Sequence, residues 1–311
     1  MFAIESNALS KVYRSGVFRR QEVGALREFS IQVETGQIFS LLGPNGAGKT
    51  TFIKMLLSLA SPTSGTASVL GVRLPDVRVR HKVGYLPENH RYPGYLTAEQ
   101  VLRYFGALGG APSASIPGRV EELLNLVGLA QWRKMKVKRY SKGMMQRLGL
   151  AQALMNDPEV IFLDEPTDGV DPVGRKEIRE ILRDLKIRGK TVFLNSHLLS
   201  EVELVSDRVA VLDKGRLLKV GTVEELTATG QSYVIGISGS LPEPVIVAAQ
   251  AFLMGLSQQG ETVTAECRTT AELNRVIDLL RKNGVEITSV TKQRSTLEDS
   301  FISLIAREAQ P

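Results

Sequence analysis

The chain has very little cysteine and no long run of apolar residues. Cys267 is the one cysteine among 311 residues, so no disulfide can form within the chain, which fits a reducing compartment. The longest apolar stretch, residues 244–256, is well short of the roughly 20 residues that a membrane-spanning helix needs. The N-terminal segment carries Glu5, Lys11 and Arg14 and lacks the apolar core of a signal peptide. We therefore expect a chain that is neither secreted nor anchored in a membrane by itself.

The charge is basic, with a formal net value of +6. A basic surface can attract nucleic acid or an anionic membrane face. The densest basic run, residues 133–139, alternates Lys and Arg with apolar residues, which is typical of a solvated edge or loop. We therefore interpret the charge as ordinary surface charge and expect no nucleic-acid partner.

Predicted strands and helices alternate over the first two thirds of the chain, which favours an α/β domain. Apolar runs predict strands at residues 37–42, 83–86, 160–163, 191–194, 209–212 and 216–220. Helical patterns are found at residues 49–59, 97–108, 119–127, 142–155, 172–187 and 198–205. Residues 109–118 are rich in Gly, Ala, Ser and Pro and predict a loop, and Asp213-Lys214-Gly215 predicts a hairpin turn.

The pattern changes near residue 229. Short strands are predicted at residues 232–237, 262–266 and 286–290, and helices at residues 271–282 and 297–307. We therefore predict two domains: residues 1–228, and a small C-terminal α/β appendage of residues 229–311.

A glycine-rich segment joins the first predicted strand to the first predicted helix. It reads Gly43, Pro44, Asn45, Gly46, Ala47, Gly48, Lys49, Thr50. This order matches the phosphate-binding loop, in which glycines let backbone N–H groups converge on phosphate oxygens at a helix N-terminus. Lys49 is expected to reach the β- and γ-phosphates, and the Thr50 hydroxyl to bind Mg²⁺. The alternative is an ordinary glycine-rich turn, which the position between strand and helix disfavours.

Two acidic residues follow the apolar run at residues 160–163. Asp164 is expected to hold Mg²⁺ directly or through water, and Glu165 to orient or deprotonate the attacking water. Taken alone, the segment fits a strand with a solvated acidic turn equally well. The phosphate loop upstream favours the hydrolytic interpretation.

A phosphate loop alone is compatible with kinases, GTPases and many ATPases, and residues 140–147 narrow the choice. They resemble the signature motif of ABC ATPases, a Leu-Ser-Gly-Gly-Gln pattern, with Ser141 and Gly143 kept. Three positions depart from the pattern: Tyr140, Lys142 and Met144. This form is similar to that of exporter ATPases paired with separate membrane subunits. The resemblance implies that Ser141 and Gly143 bind the γ-phosphate of an ATP held by a second chain. The alternative is a plain helix N-cap at Ser141.

Further positions resemble the family in the expected order. Tyr13 resembles the aromatic residue that stacks on adenine, although it could be an ordinary strand tyrosine. Residues 168–171 resemble the loop that lines the dimer seam, and His197 resembles the histidine that contacts the γ-phosphate. Glu88 stands where the family has glutamine. An ionised glutamate offers Mg²⁺ a charge but offers water no N–H donor.

The resemblance covers residues 1–228. It implies a P-loop ATPase fold with a RecA-like core, an antiparallel β part and a helical subdomain, with ATP and Mg²⁺ as cofactors. The implied catalytic residues are Lys49, Glu165 and His197. Those implied to bind ATP are Tyr13, Gly43, Pro44, Asn45, Gly46, Ala47, Gly48, Lys49, Thr50, Thr51, Ser141 and Gly143. Those implied to bind Mg²⁺ are Thr50, Glu88 and Asp164.

The implied function is ATP hydrolysis that energises export of an unidentified substrate through a separate integral membrane permease. Two copies, or this chain and a close relative, would form a head-to-tail dimer at the cytoplasmic face of the membrane. One alternative is an ABC ATPase acting on ribosomes or DNA, but such relatives carry two cassettes or a long coiled coil, and no heptad run separates Lys49 from Ser141. Another is a regulatory ATP-binding module, which requires a broken hydrolytic set.

Overall fold

The computed structural model describes residues 1–15, 21–227, 231–293 and 296–308. Two compact units divide the chain, Met1–Val223 and Glu224–Pro311. The predicted domain boundary between residues 228 and 229 lies outside the described residues. Both units combine strands and helices, which confirms the predicted α/β class.

The first unit contains two sheets and a group of helices. Its strands are β1 (Phe2–Ser15), β2 (Gln21–Glu34), β3 (Ile38–Leu42), β4 (Ser64–Val69), β5 (Val72–Arg73), β6 (Val83–Leu86), β7 (Val160–Asp164), β8 (Thr191–Asn195), β9 (Arg208–Asp213) and β10 (Arg216–Thr222). Its helices are α1 (Lys49–Leu56), α2 (Ala98–Leu108), α3 (Ile116–Leu126), α4 (Lys142–Ala153), α5 (Pro172–Ile187) and α6 (Leu199–Val205), and α7 (Val223–Thr227) crosses the boundary between the units.

The central sheet has the strand order β10-β9-β3-β8-β7-β6. Strands β9, β3, β8, β7 and β6 are parallel, and β10 pairs antiparallel with β9 at one edge. Every residue of β3, β7 and β8 is buried, as expected for a parallel sheet covered on both faces. Because parallel strands end at the same edge, the segments that follow β3, β6, β7 and β8 are brought together there.

A second, antiparallel sheet in the order β2-β1-β4-β5 packs on the central sheet through α1. Phe52 of α1 lies between the two, with its ring centroid 4.7 Å from that of Phe29 in β2 and 5.8 Å from that of Phe193 in β8. The sequence patterns placed no strand before residue 37, so β1 and β2 are additions from the structure.

Helices α2, α3 and α4 pack together as a helical part of this unit. The predicted loop at residues 109–118 is too long, because α3 begins at Ile116 and not at residue 119. Pro117 is tolerated in the first turn, where its missing N–H has no helical partner anyway. Helices α1 and α4 end at Leu56 and Ala153, two or three residues earlier than predicted.

The predicted hairpin turn between β9 and β10 is confirmed. Lys214 and Gly215 have φ values of 45° and 79°, and Asp213 pairs with Arg216. Two central residues with positive φ form the tight turn that suits the twist of a hairpin.

The second unit is an antiparallel sheet with helices. Its strands are β11 (Gln231–Ile237), β12 (Gly255–Gln259), β13 (Thr262–Cys267) and β14 (Ile287–Gln293), in the order β12-β13-β11-β14, and its helices are α8 (Glu243–Gln250), α9 (Thr270–Lys282) and α10 (Leu297–Glu308). The apolar stretch at residues 244–256 is divided between α8 and the start of β12, neither of which was predicted. Among the described residues, no helix has the length and apolar character needed to cross a membrane.

Candidate nucleotide site

A cavity of about 580 Å³ opens at the carboxyl edge of the central sheet. Many of the residues that the sequence singled out line it together: Asn45, Gly46, Ala47, Gly48, Lys49, Thr50, Thr51, Glu88, Asp164, Glu165 and His197. They come from the ends of four strands, β3, β6, β7 and β8, as the parallel order requires.

The phosphate loop leads directly from β3 into α1. Gly48 stands at the N-cap of α1. Its φ of 111° is a backbone conformation that residues with a side chain rarely adopt. The Lys49 Nζ lies over the loop and donates hydrogen bonds to the carbonyl oxygens of Gly43 at 2.6 Å and Pro44 at 3.2 Å. Gly43 and Pro44 therefore fix the lysine through their backbone and do not line the cavity.

Backbone contacts from two distant hairpins support the underside of this loop. The Ala47 carbonyl accepts a hydrogen bond from Gly215 N at 2.9 Å, and the Gly215 carbonyl accepts one from Arg27 N at 2.8 Å. A Cβ atom built on Gly48 would lie 2.2 Å from the carbonyl oxygen of Ala25. The loop therefore takes its shape from β2 and from the β9–β10 turn as well as from its own glycines.

Lys49 is a buried ammonium beside three carboxylates. Burial lowers its pKa, while the negative charges of Glu165, Asp164 and Glu88 act in the opposite direction. The phosphates of a nucleotide would balance the charge of Lys49 in this cavity, and a metal ion would balance the charges of the carboxylates.

Asp164 ends β7 beside the end of β8. Its Oδ2 accepts a hydrogen bond from the Thr50 hydroxyl at 3.3 Å, and its Oδ1 accepts one from the side-chain amide of Asn195. Burial raises the pKa of Asp164, and the hydrogen bond from Asn195 is the largest opposing effect. The hydrogen bonds from Thr50 and Asn195 thus hold the Asp164 carboxylate beside the N-terminus of α1.

The oxygen atoms around Asp164 suit a magnesium ion. The Thr50 hydroxyl and the Asp164 and Glu88 carboxylates face one cavity, and Asn195 Oδ1 is buried there without a hydrogen-bond partner. Within the part of the chain that the structure describes, no three His, Cys, Asp or Glu side chains form a metal cluster. Mg²⁺ commonly takes one or two carboxylates and completes its shell with water and phosphate oxygens, so this donor set fits it.

Glu165 and His197, which follow β7 and β8, form a hydrogen-bonded pair in the same cavity. The Glu165 Oε2 lies 2.8 Å from His197 Nδ1 and accepts a second hydrogen bond from the His197 backbone N–H at 3.2 Å. Glu165 has a left-handed backbone with φ 54°, and its own N–H donates to the Asn195 carbonyl at 2.8 Å. Burial raises the pKa of Glu165, and the charge of His197 opposes that rise. A carboxylate of raised pKa is a better proton acceptor.

Besides Gly43 and Pro44, three residues predicted to bind ATP are absent from the cavity lining: Tyr13, Ser141 and Gly143. Tyr13 is 40% exposed and lies beneath the Lys11 ammonium, 5.0 Å from its ring centroid. Ser141 caps α4, and its Oγ accepts a hydrogen bond from Met144 N at 3.2 Å. Gly143 follows in the first turn and packs toward Val170. Their roles in nucleotide binding stay predictions.

Sequence reasoning missed four residues that line the cavity, Asn195 and three residues of β2. Asn195 ends an apolar strand just as Asp164 does, so a polar residue closing β8 was an available signal. Val23, Gly24 and Ala25 of β2 also line the cavity, and no motif marks them.

Comparison with known proteins agrees with this geometry. A family model described as ABC transporter matches residues 26–168. An uncharacterized ABC transporter ATP-binding protein of Synechocystis sp. is 40% identical over 96% of this chain and 83% of its own. Nod factor export ATP-binding protein I of Cupriavidus metallidurans is 36% identical over 89% of this chain and 91% of its own. A solved ATP-binding subunit of an ABC transporter matches with TM-score 0.63 and 29% identity, over 72% of this chain and 91% of its own.

The relatives span nearly all of this chain, and the solved structure shares its fold. Together with a phosphate loop, an acidic strand end and a histidine in one cavity, these matches show that the chain belongs to the family of ABC transporter ATP-binding subunits, the ATPases that energise transport.

Proposed function

We propose that this ATPase drives export through a separate membrane permease and hydrolyses MgATP at the interface of a head-to-tail pair of chains. The observation that carries the proposal is that Lys49, Asp164, Glu165 and His197 line the same cavity. Export is supported by the relative named for Nod factor export and by the form of the signature segment. The permease, and with it a peripheral position at the cytoplasmic membrane face, follows from family membership.

The proposed hydrolytic roles follow from the contacts. Lys49, now bonded to two loop carbonyls, would turn its remaining N–H toward the β- and γ-phosphates. Thr50, Asp164 and Glu88 would hold Mg²⁺, which neutralises phosphate charge when bound. Glu165, whose pKa burial raises, would accept the proton of the attacking water. His197 orients the Glu165 carboxylate through two hydrogen bonds and would lie near the γ-phosphate.

The proposed dimer follows from residues that the cavity leaves out. Ser141 and Gly143 do not line the cavity of their own chain, and the Ser141 side chain is exposed. They stand at the start of α4, where backbone N–H groups favour an anion. In a head-to-tail pair, these groups would complete the site of the other chain.

The domains predicted from the sequence, residues 1–228 and 229–311, remain part of this proposal.

Two substitutions test this function. Lys49→Ala should weaken ATP binding because it removes the cation nearest the β- and γ-phosphates, while Glu165→Gln should keep binding and lose most phosphate release. In light scattering, Glu165→Gln with MgATP should show about twice the 34.1 kDa chain mass, and the single mass without nucleotide. A doubled mass without nucleotide would assign dimerisation to another surface. Wild-type turnover by Glu165→Gln would remove Glu165 from the mechanism.

A further inference from the structure

Lys142, one of the positions that depart from the family pattern, has a specific partner. It is the first residue of α4, and its Nζ donates a hydrogen bond to Asp168 Oδ2 at 2.7 Å. Both side chains are about half exposed, at 55% for Lys142 and 43% for Asp168. The structure shows this lysine held by a carboxylate at the surface.

Asp168 belongs to the nucleotide cavity of the same chain. It lines that cavity, and its backbone N–H donates to the Glu165 carbonyl at 3.2 Å. The hydrogen bond from Lys142 is the main cause that lowers the pKa of Asp168, and the charge of His197 contributes to the same effect. The ion pair therefore connects the start of α4 to the loop that follows the two acidic residues.

The backbone between them leaves room for this contact. Gly169 has φ 60°, and a Cβ atom built on it would lie 2.2 Å from Lys142 Nζ and 2.7 Å from the Lys142 Cδ and Cε atoms. The lysine side chain thus lies across the bare Cα of Gly169. A larger residue at this position would displace the ammonium from Asp168.

We propose that Lys142 exchanges partners during the ATP cycle, leaving Asp168 of its own chain to bind the γ-phosphate of the ATP held by the other chain. The inference rests on the head-to-tail arrangement proposed above. Lys142 stands between Ser141 and Gly143, so a phosphate that meets those two is within reach of its flexible side chain. A phosphate carries more negative charge than a carboxylate and competes well for the ammonium.

The exchange has a consequence for the other site of the pair. When Lys142 leaves, the Asp168 carboxylate at the edge of its own cavity loses its hydrogen-bonded ammonium and keeps only the electrostatic influence of His197 and Arg175. ATP bound in one site would therefore change the charge balance in the second. Lys142 would thus have two arrangements, bound to Asp168 or bound to the γ-phosphate, and the nucleotide state of each of the two sites would influence which one it adopts.

The test uses Glu165→Gln as the parent and measures the dissociation constant of its MgATP-dependent dimer by sedimentation equilibrium. Lys142→Gln should weaken the dimer about tenfold for each of its two sites, or about a hundredfold in all, because each site loses a charged hydrogen bond, and Lys142→Arg should restore it. Asp168→Asn should strengthen the dimer, because it frees Lys142 before the phosphate arrives. When Asp168→Asn is combined with Lys142→Gln, Asp168→Asn should no longer strengthen the dimer. Lys176→Gln, which removes another exposed lysine charge, is the control and should leave the constant unchanged.

The outcomes separate the two proposals. A parent that stays monomeric with MgATP would overturn the head-to-tail function itself. A parent that dimerises, with Lys142→Gln unchanged or with both single variants shifted in the same direction, would overturn the partner exchange alone. Thermal unfolding of each variant without nucleotide and ATP affinity of the separated chains are measured in parallel, so that a folding or cis-binding defect is not counted as a change at the interface.

Discussion

Three glycines of the phosphate loop allow a prediction that separates backbone strain from steric overlap. Gly46 has φ 82° and no atom within 4 Å of a Cβ built on it. Gly43 has no positive φ, but its Cβ would lie 2.3 Å from the carbonyl oxygen of Leu212. Gly48 combines both, with φ 111° and a Cβ 2.2 Å from the Ala25 carbonyl oxygen. Alanine at each position therefore imposes strain, overlap, or both.

The magnitudes follow from these geometries. A left-handed alanine costs about 1–2 kcal/mol, which is the expected loss of unfolding free energy for Gly46→Ala. Overpacking a fixed backbone costs about 1–3 kcal/mol, which applies to Gly43→Ala because a carbonyl in β9 cannot rotate away. Gly48→Ala should lose the most, about 2–5 kcal/mol if the two costs roughly add. That is a large part of the 5–15 kcal/mol typical of a folded domain.

The assay is urea unfolding without nucleotide, followed by tryptophan fluorescence. Trp132 is the one tryptophan of the chain and lies half-buried in the first unit, so its signal reports that unit. Gly189→Ala is the matched control, because Gly189 has φ 78°, no atom within 4 Å of its Cβ position, and no place in the cavity. It should lose as much stability as Gly46→Ala while ATP affinity stays at the wild-type value.

Two results would refute this reasoning. If Gly46→Ala destabilised the chain as much as Gly48→Ala, the contact with Ala25 would have no energetic meaning. If Gly43→Ala were neutral, β9 would be free to move away from the loop.

Two further predictions concern the acidic residues. Asn195→Ala removes the amide that donates to Asp164, so half-maximal ATPase activity should require about 10–100 times more Mg²⁺, as for other residues that orient a metal ligand; an unchanged Mg²⁺ titration would contradict this. Glu165→Gln should unfold less readily than wild type at neutral pH, because burial raises the pKa of Glu165 and ionisation therefore destabilises the fold. The gain should shrink as pH falls through the raised pKa and vanish below the ordinary glutamate value of 4.5, where the wild-type carboxyl is protonated; urea unfolding of both proteins at several pH values checks it, and a gain that grows toward low pH would show the sign to be wrong.

The segments that meet in the cavity could be recognised in the sequence because each follows an apolar strand. Gly43 to Thr50, Asp164 with Glu165, and His197 all come after fully buried parallel strands, where continuous apolar runs are easy to recognise. Their convergence in one cavity then follows from the common direction of the strands.

What the sequence could not predict depends on contacts between distant segments. The approach of β2 to the cavity rests on pairing with β1, whose register shifts several times along its length. The partner of Lys142 depends on the path of residues 168–171 relative to α4. The apolar run at residues 244–256 gave no sign that it is shared between a helix and a strand, because burial on one side looks alike in both over a few residues.

The support beneath the phosphate loop also bears on how the chain acquires its binding site. Ala47, Gly215 and Arg27 are joined by backbone hydrogen bonds although they belong to three separate hairpins or loops. Such long-range contacts cost chain entropy, because the intervening segments must be closed before the contacts can form. We therefore expect that a nascent or partly unfolded chain holds no nucleotide, and that ATP protects the amide protons of Gly215 and Arg27 from exchange as strongly as those of the loop itself. Bound nucleotide would then stabilise the folded state of the whole first unit, and not one loop alone.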